Sequence, residues 1–139
     1  MKKIYIRNAS GWTMLIFGGL AIALGVIGIL YPSLLLGLMN FEIVERAARA
    51  KHDFTMSFVT ISSMASFNVG IYYVFAAFTN WKPFFLWTVP FRCLTFIVFT
   101  TLVILKYAPT GFLSVGLWEL TGAIATGAAL YIEKRKGIE

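Results

Sequence analysis

Four apolar runs of twenty or more residues occupy positions 12–31, 55–79, 84–105 and 111–132. Of the 18 charged residues (12 basic plus 6 acidic), only Arg92 and Glu119 fall inside those runs. A run of ~20 apolar residues is enough to cross a bilayer as a helix. In hydrocarbon each backbone polar group must be satisfied within the protein, so only helices and closed barrels span. Long apolar runs without strict alternation select helices. The expected fold is all-α and integral to the membrane: an up-down four-transmembrane-helix bundle. Little of the 139-residue chain lies outside the runs, so 1–139 reads as a single membrane domain.

The first run is too long for the ~7–15-residue core of a secretory signal, and Tyr31-Pro32-Ser33 lacks a small-residue cleavage pattern. It reads as a permanent span. Cys93 is the single cysteine, so no internal disulfide forms.

With four spans, both termini share one side of the membrane. That side collects Lys2, Lys3, Arg7, Lys82, Lys134, Arg135 and Lys136. The opposite side carries Arg46, Arg49, Lys51 and Lys106, diluted by Glu42, Glu45 and Asp53. The positive-inside rule then predicts a multi-pass protein of the cytoplasmic (inner) membrane with cytoplasmic N- and C-termini. This distribution accounts for the net charge of +6 without a nucleic-acid partner, and it suits anionic lipid headgroups.

Small residues mark the faces by which the helices are expected to meet. Ala21 and Gly25 stand four apart in the first span; Ser62, Ser66 and Gly70 repeat every four residues in the second. Gly122, Ala123, Thr126 and Gly127 continue the theme in the fourth, whereas Phe84, Phe85, Trp87, Phe91, Phe96 and Phe99 load the third. Between spans 1 and 2, Asn40 is suited to N-cap a helix over 41–54. Glu42–Arg46, Glu45–Arg49 and Arg49–Asp53 fall at i,i+4 spacing there. An extracytoplasmic amphipathic helix is the expectation. His52 beside those acids lacks a second histidine, and no metal site is expected.

A charge at the bilayer centre costs at least ~2.5–3.5 kcal/mol and usually has a partner or a purpose. With a rise of ~1.5 Å per residue, Arg92 lies ~12 Å from the inner end of span 3, Glu119 ~18 Å from the inner end of span 4, and Asn68 ~16 Å from that of span 2. All three occupy one slab. The expected cluster is an Arg92–Glu119 ion pair with Asn68 as a hydrogen-bond neighbour and Tyr72 or Trp118 nearby. It serves either to dock spans 3 and 4 or as the polar floor of a ligand cavity. No catalytic triad, HExxH, bis-histidine haem pair or phosphate-cradling loop is present, so no catalytic residue and no cofactor is expected.

The glycine-rich first span ending in LYPSLLLGLM, the basic segment before span 2, the PFRCLTFIVF stretch and the acidic LWELTGA together resemble the small four-helix DoxX-like and BphX-like bacterial membrane proteins. That resemblance implies a membrane protein of unassigned activity, an accessory component of an oxidative or catabolic system. VERAARAKHDF is similar to the ERxxRAxxN segment entering the second span of the MAPEG glutathione-dependent enzymes, through Glu45, Arg46, Arg49 and Ala50. Asp53 replaces that asparagine and Met56 stands where a glutamate belongs. The leading expectation is a non-enzymatic accessory subunit or binder of a lipophilic small molecule. Membrane lipids, a second copy of the chain or a partner membrane protein are its expected partners. The alternatives are a small proton-coupled transporter using Glu119 and a MAPEG-like glutathione-dependent enzyme.

Overall fold

The computed structural model describes residues 6 and 8–137. It contains five α-helices and no strand among the described residues: α1 (Ala9–Leu30), α2 (Pro32–Leu38), α3 (Thr55–Thr79), α4 (Lys82–Ile104) and α5 (Gly111–Arg135). All but the short α2 are long and apolar enough to cross a membrane. The long helices run past the apolar runs at several ends, because their caps recruit polar residues that hydropathy leaves out. Asn8, for example, accepts the Gly11 N–H at 3.2 Å and starts α1.

Three helices stop by one device. Asn40, Asn80 and Lys106 adopt left-handed backbone angles, with φ of 60°, 51° and 60°. Just beyond each helix the backbone reaches back to the last turn, as in Phe41 N–H to Leu36 O at 3.0 Å and Asn40 N–H to Gly37 O at 3.1 Å. Asparagine tolerates this conformation through its short polar side chain.

That geometry corrects the reading of Asn40. It terminates α2 and caps no following helix, because an N-cap needs an extended backbone. The amphipathic helix expected over 41–54 is replaced by extended chain and one 3-10 turn, Arg46–Ala48. Glu45 and Arg49 are extended (ψ 147° in each), so their side chains are not presented at helical spacing. Arg49 Nε donates to Val44 O at 2.8 Å, and among the described residues none of the three i,i+4 ion pairs forms. A helix this short is marginal unless its apolar face is buried, and residues 42–48 are exposed.

The four long helices alternate in direction. Gly25 meets Phe67 and Gly18 meets Gly70, so α1 and α3 are antiparallel. Ser10 meets Glu133 and Thr13 meets Thr126, which sets α5 antiparallel to α1, and Lys82 beside Glu133 with Val89 beside Gly127 sets α4 antiparallel to α5. α1 lies close against α3. A Cβ on Gly25 would stand 2.7 Å from the Phe67 backbone nitrogen, and one on Gly70 would stand 2.7 Å from Gly18 O. Ser66 Oγ adds a bond to Ala21 O at 3.2 Å. Close approach through small residues is how membrane helices gain packing energy where burial from water contributes nothing. The contact stripe differs by one residue from the expected one: Ser63 is buried against Gly28, whereas Ser62 is exposed.

The apolar core lies at the lower end of the bundle, where α1 begins and α5 finishes. There Met14, Ala76, Ala77 and Phe85 form a buried cluster flanked by Leu15, Tyr73, Phe84 and Leu130. At the opposite, upper end Asn40 Nδ2 donates to Thr110 Oγ1 at 3.3 Å.

Candidate functional site

Two polar clusters and one groove converge on α4 and α5. The first cluster is centred on Arg92, which projects from α4 into the bundle and is only 2% exposed. Its guanidinium carbon lies 4.1 Å from the Phe17 ring centroid and 4.9 Å from that of Tyr73. Aromatic faces attract a desolvated guanidinium through their quadrupole. Gly122 provides the space, since a Cβ there would collide with Arg92 Nη1.

Arg92 Nε stands 3.7 Å from Glu119 Oε2. At that distance the two charges attract without a hydrogen bond. Nε, Nη1 and Nη2 have no hydrogen-bond partner among the described residues. The Glu119 side chain keeps 26% exposure.

Of the expected cluster, then, Arg92 and Glu119 lie together. Trp118 sits one layer behind, its ring 4.3 Å from Phe17. Tyr72 points outward with 59% exposure, and the adjacent Tyr73 contacts Arg92 in its place. Asn68 makes no hydrogen bond to Arg92 or Glu119 among the described residues; its neighbour Phe67 packs on Gly25, about two turns along α1 from the Phe17 ring that Arg92 meets. One residue along a helix rotates a side chain by ~100°, which counting depth cannot resolve. In the sequence Phe17 stands out only as the single phenylalanine of α1.

The second cluster carries no signal in the sequence. Glu133, in the last turns of α5, is buried and accepts the Ser10 N–H at 2.7 Å and the Ser10 hydroxyl at 2.8 Å. Lys82, at the start of α4, pairs with the same carboxylate, and its Nζ also donates to Ser10 Oγ at 3.2 Å. Asn8 Nδ2 donates to Asn80 Oδ1 at 3.0 Å alongside. The Ser10 amide is one of the free N–H groups that open α1, so the carboxylate meets both a donor and the positive end of the helix dipole. Glu133 belongs to a Glu-Lys-Arg-Lys run that reads as a solvated tail.

A groove runs down the outside of the α4–α5 pair. Its lower part, of about 590 Å³, lies between Lys82, Leu86 and Trp87 on α4 and Leu130, Glu133 and Lys134 on α5. A second hollow, of about 460 Å³, lies above it between Val89 and Cys93 on α4 and Ala123, Ile124, Gly127, Ala128 and Tyr131 on α5. Residues 82, 86, 89 and 93 recur at helical spacing on one face of α4, and 123, 127, 130 and 134 do so on α5. The two parts therefore share one seam. The walls are apolar and the polar groups gather at the lower mouth, the division expected of a site for an amphiphilic ligand. Comparison with protein-family models, with curated proteins and with solved structures finds no match to this chain.

Proposed function

We propose that this chain is a non-enzymatic, multi-pass protein of the cytoplasmic (inner) membrane that holds a lipophilic molecule drawn from the bilayer, acting alone or as an accessory subunit. The observation that carries this reading is the α4–α5 groove, apolar along its length and open sideways on the bundle. Its two helices are held against the rest of the bundle from behind. Arg92 locks α4 onto Phe17 of α1, Tyr73 of α3 and Glu119 of α5. The intramembrane pair acts as the fastening of the groove's back wall and does not touch the ligand.

The lower end faces the cytoplasm in this reading. It carries Lys82, Lys134, Arg135 and Lys136, and Lys2, Lys3 and Arg7 precede α1 but lie outside the described residues. The likeness to DoxX-like and BphX-like proteins is compatible with an accessory role and rests on the LYPSLLLGLM, PFRCLTFIVF and LWELTGA stretches and the basic segment before α3.

Native mass spectrometry of the gently purified protein tests the reading. The wild type is expected to retain a lipophilic adduct, and Gly127→Leu, which fills the seam where the nearest neighbour, Val89, stands 3.7 Å away, is expected to lose it. An adduct that survives this substitution refutes the groove as the site.

A further inference from the structure

Resting on that reading of the groove, we propose that its occupant is an anionic phospholipid of the lower leaflet, with its phosphate at Lys134 and Lys82 and one acyl chain along the seam to Cys93. Length is the first argument. From Lys82 to Cys93 the groove follows eleven residues of α4, or ~16 Å at the helical rise. Half of a ~30 Å hydrocarbon core is ~15 Å. The seam is thus one leaflet deep, as a single acyl chain requires. A molecule crossing the bilayer would need twice the length.

Charge is the second argument. The mouth holds two cations and one carboxylate, Glu133, which is committed to Ser10 and Lys82. Among the described residues no acid lies within ion-pair distance of Lys134, which is exposed, and Arg135 and Lys136 follow it. Lys82 keeps a quarter of its side chain exposed although it is paired. An anion at the mouth meets net positive charge on the surface that cytoplasmic anionic lipids occupy.

The third argument is shape. The α5 wall sets three small residues, Ala123, Gly127 and Ala128, beside Ile124 and Tyr131, and the small ones leave room where larger side chains would fill it. Trp87 flanks the mouth, at the depth where indole rings favour the headgroup boundary.

The test is a lipid titration of the delipidated full chain in neutral detergent, read by native mass spectrometry. It uses phosphatidylglycerol and phosphatidylcholine with identical chains. One interfacial cation supports a preference of about fivefold. The wild type is expected to favour phosphatidylglycerol by at least that factor. Lys134→Gln is expected to weaken phosphatidylglycerol more than phosphatidylcholine, bringing the ratio toward one, and Gly127→Leu to weaken both lipids about tenfold or more. Equal binding of the two lipids by wild type, with Gly127→Leu still weakening both, overturns the anionic headgroup and leaves the groove reading standing. Binding of both lipids unchanged by Gly127→Leu overturns the groove reading itself.

Discussion

Replacing Glu133 by alanine removes two hydrogen bonds from Ser10 and the partner of Lys82 in one step. Hydrogen bonds to a charged group contribute about 1.5–3 kcal/mol each, and deleting one member of a buried ion pair costs about 3–5 kcal/mol. The two figures overlap, because both describe the same carboxylate. Lys82 is a quarter exposed and can turn its ammonium outward, which relieves part of the penalty. A loss of about 3 kcal/mol is therefore expected for Glu133→Ala. Glu133→Gln keeps one acceptor for the Ser10 amide and should lose about 1.5 kcal/mol. Adding Lys82→Met to Glu133→Ala should recover about 1 kcal/mol, because the stranded cation is removed. Reversible unfolding in mixed dodecyl maltoside and SDS micelles, followed by circular dichroism, measures all three. Lys136→Gln, at an exposed position, is the control and should stay within about 0.5 kcal/mol of wild type. A Glu133→Ala protein as stable as that control would refute a lower end held by this carboxylate.

Arg92 and Glu119 should behave asymmetrically in the same assay. Arg92→Met gives up the contacts with Phe17 and Tyr73 but also removes three buried nitrogens that lack hydrogen-bond partners, and should cost only about 1 kcal/mol, whereas Glu119→Gln leaves the cation uncompensated and should cost about 2–3 kcal/mol; equal losses would contradict this. Gly25→Ala forces α1 away from the Phe67 backbone and should cost about 1–3 kcal/mol, while Gly19→Ala, with nothing within 4 Å, should be silent; similar effects at both would refute the α1–α3 contact. The Thr55 hydroxyl, the Thr55 amide and then the Arg49 charge hold the Asp53 carboxyl below the usual carboxylate range. Its contribution to the start of α3 is thus complete above the unfolded pKa of ~3.9 and lost as pH falls through the lower folded value. Hydrogen exchange in the first turn of α3 should rise across that acid window in wild type and show no such step in Asp53→Asn.

What the sequence reveals of this bundle depends on the kind of coordinate involved. Depth along a helix can be counted, which is why residue numbers alone put Arg92 and Glu119 at one level. Azimuth cannot be counted when the whole circumference is apolar, because no polar face marks the outside. Counting points to Tyr72 where Tyr73 acts, and to Ser62 where Ser63 packs, each displaced by a single ~100° step. The connection over 41–54 misleads for another reason. Its i,i+4 charge spacing is a helical pattern, yet Asn40 has already turned the chain through a left-handed stop. Glu133 is hidden by its neighbours, since a carboxylate among Lys134, Arg135 and Lys136 suggests a solvated tail. Only the convergence of three helix ends shows that it points inward.

The bond between the Ser10 amide and Glu133 joins positions 123 residues apart, and this sets an order of events during synthesis. The ribosome delivers α1 to the membrane long before its final partner exists. Until the closing turns of α5 emerge, the opening amide of the first helix must rely on water or lipid headgroups at the interface. The opening of α1 is therefore sealed only once the closing turns of α5 have been made. Shortening the chain before residue 133 would leave four inserted helices whose beginning has never been sealed.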